Sequence, residues 1–326
     1  MSGRQAAAGE PAPGATHRTP EVTLLVNPAA GRGRGARAAD PAAAALGEAG
    51  FRVRRVVGRD AADAVRLARE AVAGGTAALV AVGGDGMVSL ALQAVATTAT
   101  PLGVVPVGTG NDLARACGLP LRDPQAAARA IAAALTAGQA ARLDLGLVRD
   151  TWFGGVLASG FDSRVNDRGN RMRWPRGRLR YDLAMLAELA ALRPIPYRIR
   201  LDDGPWQELA ATLVAVGNGP CYGGGMRICA GAELDDGLFD MTVVGPCSRA
   251  TLLRVFPRVY RGTHLGHPAV TVLRARRVSL AAEVTGYADG EPLGPLPLTA
   301  ACVPGAVRLL AAAPPRWGRP DRTGAG

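Results

Sequence analysis

The sequence predicts an α/β protein with two domains. Residues 21–144 are expected to form an N-terminal domain with a mainly parallel sheet and flanking helices, and residues 145–303 a C-terminal antiparallel β-sandwich. Two observations favour this fold class. Strand-like and helix-like segments alternate as far as residue 137, which is typical of a parallel sheet covered by helices. From residue 152 onward, short strand-like segments follow one another between Gly, Pro and Asp turns, which is typical of a sandwich.

The N-terminal domain is predicted from its strands and helix caps. Strands are expected at residues 22–26, 51–57, 77–82 and 102–105. Asp40-Pro41, Asp60 and Asp123-Pro124 have the form of helix starts, because an Asp side chain accepts a backbone N–H of the first turn and Pro suits the first helical position. Helices are therefore expected from these residues to residues 49, 73 and 137, and a further one at 87–95.

The C-terminal domain is predicted from short segments bounded by turn residues. Strands are expected at residues 152–158, 197–201, 209–216, 239–244, 270–273, 277–281 and 298–303, with helices at 181–192 and 248–259. Residues 1–20 lack the apolar centre of a signal peptide and are predicted to be a disordered leader. Residues 313–326 are predicted to be a disordered tail. No run of 18 apolar residues occurs, so no transmembrane helix is predicted.

Charge and cysteine content exclude several kinds of site. The net charge is +11 and the chain contains no lysine. A Walker A lysine, a protein-kinase strand lysine and a lysine Schiff base are therefore excluded. The five cysteines form no C-x-x-C pair, so neither a zinc site nor a disulfide framework is expected. This pattern fits a reducing cytoplasm.

Two glycine-rich loops follow predicted strands of the first domain. Gly83-Gly84-Asp85-Gly86 follows one strand, and Pro106-Val107-Gly108-Thr109-Gly110-Asn111-Asp112 follows the next. Glycine lets a ligand approach the main chain closely, and a helix N-terminus attracts phosphate through free N–H groups and its partial positive charge. Two such loops at the ends of neighbouring parallel strands predict one nucleotide-sized crevice.

These loops, together with Asn27-Pro28-Ala29-Ala30-Gly31 and Asp289-Gly290-Glu291, resemble motifs of the diacylglycerol kinase-like lipid kinases. That family includes bacterial soluble diacylglycerol kinases and sphingosine and ceramide kinases, and is related to NAD kinases. The resemblance runs from about residue 22 to about residue 310. It implies that residues 304–312 return to the first domain, and that ATP and Mg²⁺ are used.

The resemblance also assigns the nucleotide site and an acidic network. Asp85, Asp112 and Asp144 would organise Mg²⁺ and water between the domains, although Asp112 could also cap the helix that follows it. The nucleotide would be held by ten residues from these motifs: Asn27, Gly31, Gly83, Gly84, Asp85, Gly86, Gly108, Thr109, Asn111 and Glu291.

Asp289 is the candidate general base, which would orient the acceptor hydroxyl and take its proton as the P–O bond forms. The alternative is an Asp-Gly β-turn without chemistry. A Mg²⁺ ion would be bound by the Asp236 side chain and the carbonyl oxygens of Glu233 and Leu238, as the family motif implies. Oxygen ligands suit this ion, although an acidic turn is again the alternative.

The chain departs from the family pattern directly after the first glycine loop. Met87, Ser89 and Leu90 replace a threonine and an Asn-Glu pair. A hydroxyl and a carboxylate are therefore missing near the predicted nucleotide. Retention of Asp85, Thr109 and Asp289 favours a kinase over a non-catalytic nucleotide or lipid sensor, which stays open as an alternative.

A basic segment is a candidate for contact with a lipid surface. From Arg164 to Arg180 there are seven arginines and one aspartate, with Met172 and Trp174 among them. Such a segment could lie on an anionic bilayer or be an ordinary solvated loop. No nucleic-acid motif accompanies it. The sequence leaves open whether the protein forms a homodimer.

The predicted function is therefore ATP- and Mg²⁺-dependent phosphorylation of the hydroxyl of diacylglycerol or a related lipid. The product would resemble phosphatidic acid, and the enzyme would be cytoplasmic, at the inner face of the membrane. The enzymatic alternative is an NAD kinase-like activity.

Overall fold

A computed structural model describes residues 19–311, except 122, 173–182, 184–186, 189, 190 and 192. The strands are β1 (Glu21–Val26), β2 (Arg52–Val56), β3 (Ala78–Gly83), β4 (Leu102–Pro106), β5 (Ala141–Val148), β6 (Thr151–Phe153), β7 (Val156–Gly160), β8 (Ile195–Leu201), β9 (Gln207–Ala211), β10 (Leu213–Gly217), β11 (Phe239–Val244), β12 (Val270–Ala275), β13 (Arg277–Ala281), β14 (Thr285–Ala288), β15 (Glu291–Pro295) and β16 (Leu298–Leu309). The helices are α1 (Ala30–Glu48), α2 (Ala61–Ala73), α3 (Asp85–Val95), α4 (Asp112–Ala116), α5 (Pro124–Thr136), α6 (Phe161–Arg171) and α7 (Arg249–Val259).

The first part of the chain forms the predicted parallel sheet. Its strands run in the order β2-β1-β3-β4, all pairs parallel. Helices α1 and α5 bury their apolar residues on one face, and α2 and α3 on the other. Asp60 and Asp123 cap α2 and α5 as predicted, since each side chain accepts a backbone N–H three residues ahead, at 2.8 Å. Caps and alternating elements thus agree with the fold class.

The prediction that α1 starts at Asp40-Pro41 is wrong. The helix begins at Ala30 and continues through Pro41 to Glu48, while the Asp40 carboxylate pairs with Arg55 at 2.5 Å. Packing explains the difference, because Ala38, Ala39, Ala42, Ala45 and Leu46 are all buried against the sheet. Pro41 removes one helical hydrogen bond, and burial of this apolar face stabilises the helix by more than that loss.

The second part is the predicted antiparallel sandwich. One layer is a six-stranded sheet in the order β12-β11-β10-β7-β14-β15. The other consists of β5, β6, β8, β9, β13 and β16, which belong to the same ten-stranded sheet as the parallel strands. A core that includes Phe153 stacked on Phe239, with ring centroids 5.9 Å apart, fills the space between the layers.

A single long strand connects the two parts of the molecule. A strand was predicted at 298–303, and the resemblance implied that residues 304–312 return to the first domain. Residues 298–309 form one strand, β16, with an irregularity between Val303 and Val307. Its first half pairs with β13 and its last residue with β4. The predicted domain boundary at residue 144 lies inside β5, the other strand that crosses between the parts.

Some predicted segments lie outside the described residues. These are residues 1–18 of the leader, the tail from residue 312, the basic positions 173–180 and most of the predicted helix 181–192. The helix predicted at 248–259 is present as α7, where Ser248 Oγ accepts the N–H of Thr251 at 3.1 Å. In the part of the chain that is described, no helix is long and apolar enough to cross a membrane.

Candidate active site

Three loops meet at the carboxyl ends of β1, β3 and β4. A Cβ atom on Gly31 would lie 2.1 Å from the carbonyl oxygen of Val107, and one on Gly84 would lie 3.0 Å from Gly108 Cα. Any side chain at these positions would push the loops apart. Asn27 lies beside Gly83, and its Oδ1 accepts the N–H of Ala29 at 3.0 Å. The structure therefore brings the predicted loops of Asn27, Gly31, Gly83 and Gly108 together.

Asp85 joins the two glycine-rich loops. Its Oδ2 accepts the N–H of Asn111 at 2.8 Å and its Oδ1 that of Asp112 at 2.6 Å. The Asn111 side chain bonds the backbone N–H and C=O of Gly108, each at 3.0 Å, which closes that loop. Asp85 and Asn111 thus shape the crevice. Thr109 at its rim is exposed, as are Gly86 and Arg115, whose Nη2 donates to Gly110 O at 3.1 Å.

Met87 belongs to the core beneath the first loop. It is buried, and a Cβ atom on Gly83 would lie 2.5 Å from Met87 Cβ. The departure from threonine at this position therefore has a packing consequence. A hydroxyl placed here would face apolar neighbours of α3 and the sheet.

Asp112 connects the nucleotide loop to the second part of the chain. Its two carboxylate oxygens accept the N–H groups of Gly224 and Gly225 at 2.9 and 2.7 Å. Burial raises the pKa of Asp112, the Gly224 and Gly225 N–H groups oppose that rise, and the nearby Asp85 adds to it. The side chain therefore holds two loops of the cleft against each other.

Asp144 has different hydrogen-bond partners from Asp85 and Asp112. Its carboxylate accepts the N–H groups of Gly237 and Gly305 at 2.6 and 2.7 Å. Burial raises the pKa of Asp144 most, these two N–H groups oppose the rise, and the nearby Asp236 and Asp235 add to it. Each of the three predicted network members is thus bound by its own set of backbone N–H groups. A network in which they share Mg²⁺ and water stays a prediction.

The Asp289 carboxylate is bound by backbone N–H groups at the start of β7. Its Oδ2 accepts the N–H of Gly154 at 2.8 Å, and its Oδ1 those of Gly155 and Val156 at 3.0 and 3.2 Å. A Cβ atom on Gly155 would lie 2.6 Å from Oδ1, so glycine is required there. Burial raises the pKa of Asp289 to about 6, against the three N–H donors. The sequence signal for this set of three N–H donors is the pair of consecutive glycines, Gly154 and Gly155. These glycines were not identified from the sequence as part of the site.

The β14–β15 hairpin contains the Asp-Gly-Glu motif. Asp289 and Gly290 form its turn, with Asp289 at φ 50°, so the predicted turn exists together with the three N–H donors. Glu291 is exposed at the start of β15 and pairs with Ala288. Cys221 connects Asp289 to the second glycine loop, because its Sγ lies 3.6 Å from Asp112 O and its carbonyl oxygen lies with the Asp289 carboxylate beside Gly155.

The predicted metal ligands lie in the loop before β11. Asp236 forms an ion pair with Arg274, and its Oδ1 accepts the N–H of Leu238 at 2.9 Å. The buried Asp240 Oδ2 lies 3.6 Å from Arg274 Nε and has no hydrogen-bond partner among the described residues. Arg274 thus supplies the positive charge that a cation would supply. The Asp236 side chain does not fit a metal while this pair persists, and Mg²⁺ at Asp236, Glu233 and Leu238 stays a prediction.

Substitution of Arg274 by Gln tests this arrangement. We expect the variant to melt at a lower temperature in EDTA, because Asp240 is left buried without its partner. Mg²⁺ should restore that melting temperature and leave the wild type unchanged. Differential scanning calorimetry without nucleotide measures both. Arg277→Gln, which breaks an exposed pair with Asp203, is the control and should change little. Equal Mg²⁺ stabilisation of the wild type would contradict this expectation.

Comparison with known proteins agrees with this geometry. Residues 21–148 match the diacylglycerol kinase catalytic domain, and residues 155–311 match the YegS C-terminal NAD kinase beta sandwich-like domain. A diacylglycerol kinase of Mycobacterium tuberculosis is 46% identical over 302 residues, which cover 90% of this chain and 96% of the relative. This chain belongs to the diacylglycerol kinase family. It is a lipid kinase, an enzyme that transfers phosphate to an alcohol group.

Solved structures show the same fold. A diacylglycerol kinase from Bacillus anthracis superposes with a TM-score of 0.67 at 21% identity, covering 91% of this chain and 98% of the other. An NAD kinase from Archaeoglobus fulgidus in complex with ATP gives 0.52 at 13% identity, covering 90% and 94%. These likenesses concern the fold, and the kinase of M. tuberculosis favours the lipid branch over the NAD kinase alternative.

Proposed function

We propose that this lipid kinase transfers the γ-phosphoryl group of ATP to the free hydroxyl of diacylglycerol, giving phosphatidic acid. The observation that carries the proposal is the Asp289 carboxylate, held by three N–H groups beside the glycine-rich loops. A carboxylate offers about four acceptor positions, so one stays open for a hydroxyl. Its raised pKa makes it a better proton acceptor than an ordinary aspartate.

In the proposed reaction the acceptor oxygen forms a bond to the γ-phosphorus while its proton passes to Asp289. The bond between the γ-phosphorus and the β–γ bridging oxygen breaks, and ADP leaves. Main-chain N–H groups of Gly84–Gly86, Thr109 and Gly110, with the Thr109 hydroxyl, bind the phosphates, and Arg115 adds positive charge. Mg²⁺ bound with ATP would supply further positive charge to the phosphates. Asp85 and Asp112 keep the loops in register for this transfer.

An apolar cavity of about 40 Å³ is a candidate place for the first carbons of an acyl chain. Its lining includes Phe161, Tyr222, Met226, Val255, Phe256 and Val259. Tyr222 follows Cys221 in the chain. A Cβ atom on Gly155 would lie 3.5 Å from the carbonyl oxygen of Cys221 and 2.6 Å from Asp289 Oδ1, so both groups are near Gly155. Burial lowers the pKa of His264, which also faces the cavity, so its ring is neutral there. The cavity thus offers an apolar environment whose wall includes Tyr222, the chain neighbour of Cys221.

Val259→Leu adds one methylene and should fill much of this cavity. We expect the KM for a long-chain diacylglycerol to rise by about fourfold, because one excluded methylene corresponds to roughly 0.8 kcal/mol. The KM for a dihexanoyl acceptor should stay within about twofold, a difference that corresponds to less than 0.5 kcal/mol on the same scale. Steady-state assays with both acceptors measure this. An equal rise for both lipids would show that the cavity does not hold the chain.

The activity itself is tested by incubating the full chain with γ-labelled ATP, Mg²⁺ and separate acceptors: diacylglycerol, a sphingoid base, a ceramide and NAD. Labelled phosphatidic acid is expected. Label in a sphingoid base or ceramide alone would change the acceptor class, label in NAD would favour the NAD kinase alternative, and binding without turnover would indicate a sensor. Contact with the membrane surface near the basic segment from Arg164 to Arg180 belongs to the same proposal.

A further inference from the structure

Helix α7 exposes large apolar side chains on its outer face. Leu253 is 59% exposed and Tyr260, the residue after the helix, is 51% exposed. Pro257 lies between them in sequence and is also exposed. Spacings of four and three residues place all three on one side of the helix. Exposed leucine and tyrosine grouped on one face are characteristic of interaction sites.

Basic residues flank this apolar stripe. Arg254, Arg258 and Arg261 are exposed, and none of the ion pairs among the described residues involves them. The chain has no acidic residue between Asp240 and Glu283. The surface formed by Leu253, Pro257, Tyr260, Arg254, Arg258 and Arg261, here called the α7 outer face, therefore combines apolar contact with positive charge.

The inner face of the same helix lines the proposed acyl cavity. Leu252, Val255, Phe256 and Val259 face it, and Phe161 at the start of α6 completes that wall. One helix thus separates an apolar cavity from solvent on its inner side and presents apolar and basic groups on its outer side. The predicted basic segment begins three residues after Phe161.

We propose that the α7 outer face docks on the anionic surface of a lipid bilayer. Apolar side chains on a basic helix insert at the headgroup boundary, while arginines are attracted by anionic lipids. Charge favours this occupant over a second copy, because a twofold contact would bring arginine against arginine. The further step, that an acyl chain enters the cavity beside α7, rests on the proposed function. Docking itself does not.

Vesicle cosedimentation of the full chain, without ATP or diacylglycerol, tests the docking. The wild type should bind vesicles of phosphatidylglycerol and phosphatidylcholine, bind pure phosphatidylcholine less, and weaken with salt. We expect two variants each to lower partitioning onto the anionic vesicles by about tenfold or more. One is the double change Leu253→Ser and Tyr260→Ser, and the other is the triple change Arg254→Gln, Arg258→Gln and Arg261→Gln. The controls are Val57→Ser, which removes another exposed apolar residue, and the triple change Arg37→Gln, Arg54→Gln and Arg129→Gln, which removes the same charge elsewhere.

Unchanged binding in both α7 variants, an equal loss in the controls, or no vesicle binding by the wild type would overturn the proposal. Light scattering without vesicles separates the other occupants. A wild-type dimer that the Leu253 and Tyr260 changes convert to monomer would assign the face to a second copy instead. Activity on dihexanoylglycerol should be unchanged in the α7 variants. If diacylglycerol is not phosphorylated while docking holds, only the acceptor assignment fails.

Discussion

Asp289→Asn is expected to reduce turnover by about 10²-fold or more, in line with general-base contributions, with ATP affinity nearly unchanged. The asparagine oxygen can still accept the N–H groups of Gly155 and Val156, but the amide nitrogen would face the N–H of Gly154. A loss of stability of about 1–3 kcal/mol accompanies such an unpaired donor. Steady-state kinetics, ATP titration calorimetry and thermal melts measure the three quantities.

Asp202→Asn is the matched control for this experiment. Asp202 also has a positive φ, 49°, and its Oδ1 accepts the N–H groups of Arg276 and Arg277, both at 2.9 Å, in a turn of the sandwich. It should lose stability without losing turnover. Near-normal turnover of Asp289→Asn would reject Asp289 as the base.

The raised pKa of Asp289 also predicts a pH dependence. Wild-type kcat/KM should fall as pH drops through about 6, because the protonated carboxyl cannot accept the hydroxyl proton. For stability the sign is opposite: a carboxyl that binds its proton more tightly when folded destabilises the folded state as pH rises from its unfolded pKa toward about 6. The unfolding free energy of the wild type minus that of Asp289→Asn should therefore decrease from pH 4 to 6 and level off above. A flat difference would contradict the raised pKa.

Asp85→Ala should impair both folding and nucleotide use. It removes the acceptor for the N–H groups of Asn111 and Asp112, which sit where α4 begins. Hydrogen bonds to a charged acceptor contribute about 1.5–3 kcal/mol each, so we expect a loss of several kcal/mol and an ATP KM at least about tenfold higher. Thr109→Val should raise the ATP KM while leaving the melting temperature unchanged, because Thr109 is exposed.

Asp60→Ala is the control, since it removes a helix cap of α2 and should cost about 1 kcal/mol without changing the ATP KM. Normal ATP kinetics in both Asp85→Ala and Thr109→Val would show that the nucleotide binds elsewhere. Met87→Thr is not expected to improve ATP binding, because its side chain is buried beneath the loop.

Much of the fold was accessible from local sequence. The parallel strands β3 and β4 are continuous apolar runs that are buried on both faces, and Asp60 and Asp123 cap their helices in the predicted way. The glycine-rich loops were recognisable as motifs of consecutive residues. These strands, caps and motifs are patterns of residues that are neighbours in the chain, so the sequence by itself determined them.

The tertiary structure alone decided what the acidic residues contact. Asp289, Asp112 and Asp144 accept N–H groups from residues 93 or more positions away, and no local pattern records such pairs. The start of α1 was decided in the same way, because burial against the sheet outweighed the Asp40-Pro41 signal. The physical reason is that propensity and capping act over a few residues, whereas burial and the pairing of carboxylates with distant N–H groups arise only when the strands are packed together.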